Sequence, residues 1–170
     1  YFEAYRLGEV CNNIISVEPV MRDADIVTID LRCIKSSELS SRQKLSPNGF
    51  DGKEICAISR YAGISNKVSS FGVFEYRSSN EDEITEMLIA QILWYFIEGV
   101  SCRIIDGDFT NISNFQKFNV EVDKYELIFY KSTNTSRWWI EISNSSENDN
   151  KLNEHSLLPC TFEDYENAIN

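Results

Sequence analysis

Two acidic residues lie where the two strongest predicted strands of this sequence end. Asp30 closes an apolar run that begins at residue 26, and Glu75 lies near the end of a second run, residues 68–76. Ligands of open parallel sheets bind at the carboxyl ends of the strands, so both side chains are expected at one edge. There they could bind a divalent metal, act as acid and base, or hold a cationic substrate. They could equally cap neighbouring helices or pair with arginines.

The elements that position these carboxylates alternate between strand and helix. Residues 26–31 are short, β-branched and almost continuously apolar, a pattern typical of a strand buried on both faces of a parallel sheet. The Ser-rich loop 36–49 ends in a turn signal, Pro47-Asn48-Gly49. A helix is predicted over residues 52–62, with Gly63 as its C-terminal stop. Shorter helical segments are predicted within residues 1–13 and 17–22.

The clearest predicted helix follows the second strand and covers residues 84–98. Asn80 to Glu83 supply a cap and an acidic first turn, and Gly99 predicts the end of the helix. Apolar side chains occupy much of its circumference. A helix of this kind is expected to be packed between layers.

The pattern changes after residue 105. Residues 118–122 and 125–130 predict an antiparallel hairpin around a short turn, and residues 137–142 predict a third strand. A short helix, residues 163–169, is predicted to follow Thr161 as its cap. We therefore predict an α/β fold, a three-layer αβα arrangement with a parallel sheet over residues 1–105. Residues 106–170 are expected to form an antiparallel β-hairpin extension and tail of the same domain.

Composition narrows the class of protein. The chain has 170 residues and a net charge of −11, which disfavours binding to nucleic acid or to an anionic membrane. No apolar run approaches the roughly 20 residues of a membrane-spanning helix. Five dispersed cysteines without a CxxC spacing favour reduced thiols and a cytoplasmic location. Two parallel strands need neighbours on both sides, so the chain is expected to be the C-terminal portion of a larger domain.

The residues around the two carboxylates suggest a family. The segment Val27-Thr28-Ile29-Asp30-Leu31-Arg32, the loop to Pro47-Asn48-Gly49-Phe50, and the strand and helix after residue 69 resemble the ureohydrolase superfamily of arginases, agmatinases and formimidoylglutamases. The Arg6-Leu7-Gly8-Glu9-Val10 segment and the Trp138-Trp139 pair are most similar to the formimidoylglutamase type. The resemblance implies an αβα fold with an eight-stranded parallel sheet, of which this chain would supply the last strands.

The resemblance also assigns roles to single residues. Asp30 matches the first aspartate of a motif that binds a pair of manganese ions, and Glu75 matches a glutamate that binds the substrate guanidinium. Arg32 occupies the place of the second aspartate, and a permanently protonated guanidinium cannot ligate a metal. We therefore expect Asp30 to be a remnant metal ligand that pairs with Arg32, and Glu75 to be a remnant substrate anchor.

The resemblance leaves two functions open. One is an incomplete ureohydrolase that binds no metal by itself and has little or no activity alone. The other is an active hydrolase of a guanidino or formimino substrate, with a binuclear Mn²⁺ cofactor, when this chain is joined to its N-terminal half. That half, in the same or a separate chain, is the expected partner, and a homo-oligomer is possible in either case.

Other residues with chemical potential have simpler explanations. Cys33 and Cys56 could be nucleophiles, but both fit apolar packing. His155, the only histidine, lies in a polar tail. One of Trp138 and Trp139 is expected to face inward, because adjacent strand residues point to opposite faces. The acidic run 81–83 is better explained by its helix N-terminus than by a metal site.

Overall fold

The computed structural model describes residues 3–40, 46–77, 82–106, 112–122, 125–142 and 156–170. The chain divides into two compact units, residues 1–103 and residues 104–170. The first is a mixed helix-and-strand unit that contains both predicted carboxylates, and the second is an antiparallel sheet with one helix. The predicted turn at residues 123–124, the polar stretch 144–150 and His155 lie outside the described residues.

The first unit begins with two short helices of six residues each and continues as alternating strands and helices. Its helices and strands are α1 Leu7–Asn12, α2 Val17–Arg22, β1 Ile26–Asp30, α3 Gly52–Ile64, β2 Ser70–Phe74 and α4 Glu83–Ser101. A short 3-10 helix, Leu31–Cys33, follows β1 directly. The order of elements and the bounds of α2 agree with the prediction. The helix predicted within residues 1–13 is confined to its second half.

Strands β1 and β2 form a two-stranded parallel sheet. Ile26 pairs with Ser70 and Asp30 pairs with Phe74, which sets the register. In β1, Val27 and Ile29 are buried, whereas Ile26 and Thr28 are exposed. Successive side chains of a strand point to opposite faces, and this structure covers one face of β1, so the prediction that both faces are buried is not confirmed.

Helix α3 supplies much of the core of the first unit. Asp51 caps its N-terminus, where the Asp51 Oδ1 atom accepts a hydrogen bond of 2.8 Å from the Glu54 backbone N–H. The side chains of Ile55 and Ile58 join a buried cluster with residues of β1 and α4. Gly63 does not end the helix, contrary to the prediction. It lies inside α3 and is buried against α4.

Helix α4 begins after Asp82, which caps it by accepting a hydrogen bond from the Thr85 backbone N–H. The sequence had placed the cap at Asn80, which lies outside the described residues. The predicted end of the helix at Gly99 is wrong, because the helix continues to Ser101. Gly99 is buried at the crossing with α3, directly beside Gly63. Glycine at both positions serves close packing of two helices and not helix termination.

The described structure covers α4 on one side only, so the expectation that it packs between layers is not confirmed. Residues Thr85, Leu88, Ile92 and Gly99 are buried, while Met87 and Trp94 are 63% and 70% exposed. By length and composition alone, α4 could cross a membrane, which the sequence analysis did not expect. One such helix is weak support for a membrane, since core helices of many soluble proteins meet the same criterion.

The second unit is a four-stranded antiparallel sheet in the order β3-β4-β5-β6. Its elements are β3 Phe115–Val122, β4 Tyr125–Ser132, β5 Trp138–Ile142, β6 Ser156–Cys160 and α5 Phe162–Ile169. The hairpin, the third strand and the terminal helix agree with the prediction. The sequence analysis missed β6, which contains Pro159. Because β6 lies at the edge of the sheet, a residue without a backbone N–H is tolerated there.

One face of this sheet is covered by α5. The ring of Tyr165 stacks on Trp138 with 4.7 Å between centroids and also contacts Phe118 and Phe129. Trp139 points to the opposite face, where it makes an edge-to-face contact with Phe115. Both tryptophans are buried, although they lie on opposite faces. The strand alternation was correctly predicted, and both indoles contribute to packing.

Candidate functional site

Asp30 stands at the carboxyl end of β1 and caps the turn that follows. Its Oδ1 atom accepts a hydrogen bond of 2.9 Å from the backbone N–H of Arg32. This contact begins the short 3-10 helix after the strand. A short carboxylate side chain favours such local bonds to the backbone two residues ahead. Asp30 therefore caps the following helix, which is one of the simpler roles that the sequence had suggested for it.

Asp30 also forms an ion pair with the side chain of Arg32. The Nε atom of Arg32 lies 3.0 Å from both carboxylate oxygens, and Nη2 donates to Oδ2 as well. The forked geometry of a guanidinium matches a carboxylate in this way. The pairing of Asp30 with Arg32 was expected from their spacing. The two side chains are 40% and 57% exposed, respectively, so water screens the pair.

The charges of this pair perturb each other. Hydrogen bonds from the side chain and backbone of Arg32 lower the pKa of Asp30 below its ordinary value. The pKa of Arg32 is raised, chiefly by its hydrogen bond to Asp30 and further by the negative charges of Asp30 and Glu75. Glu75 is thus near enough to Arg32 to act on it electrostatically.

Glu75 follows β2 at the same edge of the sheet. Because Asp30 pairs with Phe74, Glu75 stands one residue beyond the end of the β1–β2 ladder. Its backbone φ is 64°, in the left-handed region that few non-glycine residues occupy. The structure therefore brings the two predicted carboxylates to one edge, with the Arg32 guanidinium interacting with both.

The residues at this edge do not fit a pair of metal ions. Both oxygens of Asp30 already accept hydrogen bonds from Arg32, and Arg32 has no lone pair to donate. Among the described residues, no three His, Cys, Asp or Glu side chains lie close enough to hold a metal ion. Asp82, from the acidic run at the start of α4, is buried as a helix cap. Glu81 lies outside the described residues.

The two candidate thiols are in environments that disfavour the thiolate. Burial, assisted by the negative charge of Asp30, raises the pKa of Cys33 to about 11. Burial also raises the pKa of Cys56. Both side chains pack in the main core of the first unit. At neutral pH they are protonated thiols with a packing role.

A groove between α3 and α4 was not predicted. Its volume is about 660 Å³, and Lys53, Arg60 and Gln91 are its polar lining residues on the two helices. The apolar lining consists of Cys56, Ala57, Ile84, Met87, Leu88 and Tyr95. The signal in the sequence was the apolar character of α4 all around its axis, which implies a covering element on every side.

Comparison with solved structures finds similar chains from Trypanosoma cruzi. Oxidized formiminoglutamase with Mn²⁺ matches with a TM-score of 0.50 at 18% identity, covering 58% of this chain and 36% of that chain. Oxidized formiminoglutamase at pH 4.6 and an arginase superfamily protein each match with a TM-score of 0.44 at 18% identity. Each of these two matches covers 46% of this chain. They cover 27% of the formiminoglutamase chain and 26% of the arginase superfamily chain. No profile of a known protein family matches, and no curated protein matches.

The higher-scoring match shows an arginase-like ureohydrolase fold over the matched part of the chain. The resemblance recognised from the sequence is thereby confirmed at the level of the fold. At 18% identity, the likeness concerns the fold alone. This chain spans about a quarter to a third of the length of the solved chains it matches.

Proposed function

We propose that this chain is the C-terminal portion of an arginase-like ureohydrolase with an incomplete metal site and little or no hydrolase activity by itself. The observation that carries the proposal is the ion pair of Asp30 and Arg32. An aspartate that could be a metal ligand instead holds a guanidinium with both oxygens. The positive charge of Arg32 also opposes a cation at the same place.

The proposal includes an N-terminal half that completes the parallel sheet and the three-layer αβα fold. The small sheet of the first unit supports this part of the proposal, because among the described residues it has two strands. Parallel sheets occur almost only with both faces covered and with several strands. Ile26 and Phe74 are large apolar side chains of these strands, and both are more than half exposed. Additional strands beside β1 and β2, and a layer on the exposed face, would bury them.

Metal analysis of the intact protein, with any segment that precedes Tyr1, tests the proposal. After dialysis against Mn²⁺ and removal of free ions, we expect far less than one equivalent of bound manganese. In the Arg32→Asp variant, which restores a carboxylate and removes the competing charge, bound manganese should rise. Lys67→Asp is the matched control, since Lys67 is an exposed cation that pairs with Asp25. Two tightly held manganese ions in the unaltered protein would refute the proposal.

The second candidate function is metal-dependent hydrolysis of a guanidino or formimino substrate by the intact protein. One observation favours it: Glu75 lies at the carboxyl edge of the sheet, beside a guanidinium of the chain itself. A carboxylate in this position can hold a cationic group of a substrate. Release of urea or formamide with added Mn²⁺, lost in Glu75→Gln and retained in Glu83→Gln, would establish this function and exclude the first.

A further inference from the structure

Strand β3 forms one edge of the four-stranded sheet of the second unit. It pairs with β4 on one side, and in the described part of the chain no strand pairs with its other side. An edge strand of eight residues without proline or glycine presents backbone N–H and C=O groups that can pair with another chain. The opposite edge, β6, contains Pro159, which has no N–H to donate. Pairing with another chain is therefore favoured at β3.

Hydrogen bonds beside β3 show which of its backbone groups face the open edge. The Thr133 N–H donates to the carbonyl oxygen of Asn114 across 3.0 Å, so Asn114 faces β4. Ser132, which lies opposite Phe115, uses its own N–H and C=O on the far side of β4. Because backbone direction alternates along an antiparallel strand, the even-numbered residues of β3 bond to β4. The odd-numbered residues direct their N–H and C=O groups to the open edge.

The odd-numbered residues also form a row of polar side chains on one face of the sheet. Phe118 projects toward α5, where its ring contacts Tyr165. Side chains alternate along a strand, so Lys117, Asn119 and Glu121 project from the face opposite α5, and all three are exposed. The row has a positive charge at one end, an amide in the middle and a negative charge at the other end. A half-turn about its middle residue therefore superimposes opposite charges.

This row fits a second copy of itself in one register. A two-fold axis perpendicular to the sheet at Asn119 places β3 of another copy alongside, in the antiparallel direction. Lys117 then lies opposite the partner's Glu121, in a pair that exchanges backbone hydrogen bonds, and Phe118 lies opposite the partner's Val120. A register centred on Lys117 or on Glu121 places like charges opposite each other. A shift of the centre by one residue pairs Asn119 with a charge instead.

The position of Glu121 within one copy favours a cation from another. Glu121 lies directly opposite Glu126 of β4. Like charges opposite each other destabilise a sheet, and an added positive charge offsets the repulsion. The ammonium of Lys117 lies on the same face, with its Nζ atom 6.0 Å from the centroid of the Tyr130 ring. A partner's Lys117 beside Glu121 supplies the cation that this acidic pair needs.

We propose that β3 pairs with β3 of a second copy of this chain, in the antiparallel direction, with Lys117 opposite the partner's Glu121. The resulting two-fold dimer continues the four-stranded sheet of one copy into that of the other. Backbone hydrogen bonds at the edge supply the affinity, and the two pairs of opposite charge set the register. Because both copies use the same edge, the contact closes after two chains. The inference is independent of metal binding and of hydrolysis.

Light scattering and amide hydrogen exchange of the intact protein test the proposal without any substitution. We expect a dimer at micromolar concentration. The N–H groups of Lys117, Asn119 and Glu121 bond to the partner, so their exchange, followed by NMR, should slow as the protein concentration rises. Phe118 and Val120 bond to β4 within one copy and should be protected at every concentration. A protein that stays monomeric throughout the micromolar range would overturn the proposal, as would a dimer whose Asn119 amide exchanges at the same rate as in the monomer.

Exchanging the charges tests the register. Lys117→Glu places a carboxylate opposite the partner's Glu121 and should weaken dimerization roughly tenfold or more, with the far-UV circular dichroism unchanged. Glu121→Lys should do the same. The double variant Lys117→Glu/Glu121→Lys has opposite charges facing each other again and should restore dimerization. Lys67→Glu is the control, because it makes the same change of charge at an exposed residue of the first unit. A dimer that tolerates Lys117→Glu, or a double variant no better than the single ones, would overturn the proposal.

Discussion

Gly63 of α3 and Gly99 of α4 meet backbone to backbone where the two helices cross. A Cβ atom on Gly63 would lie 2.2 Å from the carbonyl oxygen of Phe96, and one on Gly99 would lie 2.5 Å from that of Arg60. Distances this short are forbidden to real side chains, and the obstructing atoms belong to the backbone. The α3–α4 groove and the core beneath it therefore depend on the absence of a side chain at both positions.

The first prediction concerns this crossing. Gly99→Ala should force α3 and α4 apart and lower the free energy of unfolding by about 1–3 kcal/mol, the usual range for overpacking. Urea denaturation followed by circular dichroism measures the change. Gly8→Ala is the control, because a Cβ atom there meets nothing within 4 Å and Ala favours the helix. Equal effects of the two substitutions would contradict a close crossing.

The second prediction concerns the titration of Asp30. Its pKa in the folded protein lies below the unfolded value, so the stability it contributes is present above about pH 4 and is lost as pH falls through the folded pKa. Arg32→Ala should return the pKa of Asp30 toward its ordinary value. Carbon-detected NMR of the side-chain carboxyl measures it. Lys67→Ala, remote from the pair, should leave it unchanged, and an unchanged value in Arg32→Ala would show that Arg32 is not the cause.

The third prediction concerns the ion pair of Asp106 and Arg137 in the second unit. The Nη1 atom of Arg137 lies 3.0 Å from Asp106 Oδ2, and both side chains are only 12% exposed. Asp106 also accepts a hydrogen bond from the Thr135 hydroxyl. Arg137→Ala should cost about 3–5 kcal/mol, because a carboxylate remains without its cation in a poorly solvated place.

A double-mutant cycle provides the control for this pair. Asp106→Ala combined with Arg137→Ala should cost less than the sum of the two single substitutions, since no unpaired charge remains. Heat or urea unfolding of the four proteins gives the coupling energy. Additive losses would mean that the two side chains contribute independently and that the ion pair has no energetic role.

The fourth prediction concerns thiol reactivity. The pKa of Cys33 is about 11, chiefly because its side chain is buried, so its thiolate is scarce at pH 7.5. Cys33 should react with iodoacetamide far more slowly than the exposed Cys102. Peptide mass spectrometry of timed samples gives both rates in one experiment. A rapid reaction of Cys33 in the folded protein would contradict its packing role and revive it as a nucleophile.

Residues with strong local signals were predicted well. Thr161 caps α5 as predicted, because a short side chain that accepts a hydrogen bond satisfies a free backbone N–H group of the first turn, whereas the caps Asp51 and Asp82 were not singled out from the sequence. The two strands of the first unit and the hairpin of the second have runs of β-branched and aromatic residues. These features depend on neighbours within a few positions, which a sequence displays directly.

The glycines show where local signals mislead. Gly63 and Gly99 each have the sequence context of a helix end, yet both lie inside helices. The reason is a contact between residues 36 positions apart along the chain, which neither local context contains. β6 was missed for a similar reason, since a short edge strand with a proline is defined by its pairing with β5.

The sequence by itself determined that two carboxylates stand at the ends of parallel strands and that arginine occupies the second position after Asp30. The chemistry of those side chains, above all the inability of a guanidinium to bind metal, follows from their identity. Only the tertiary structure decided that Asp30, Arg32 and Glu75 act on one another and that α4 presents an apolar wall. Those relationships are set by the register of β1 on β2 and by the crossing of α3 with α4, which are long-range contacts.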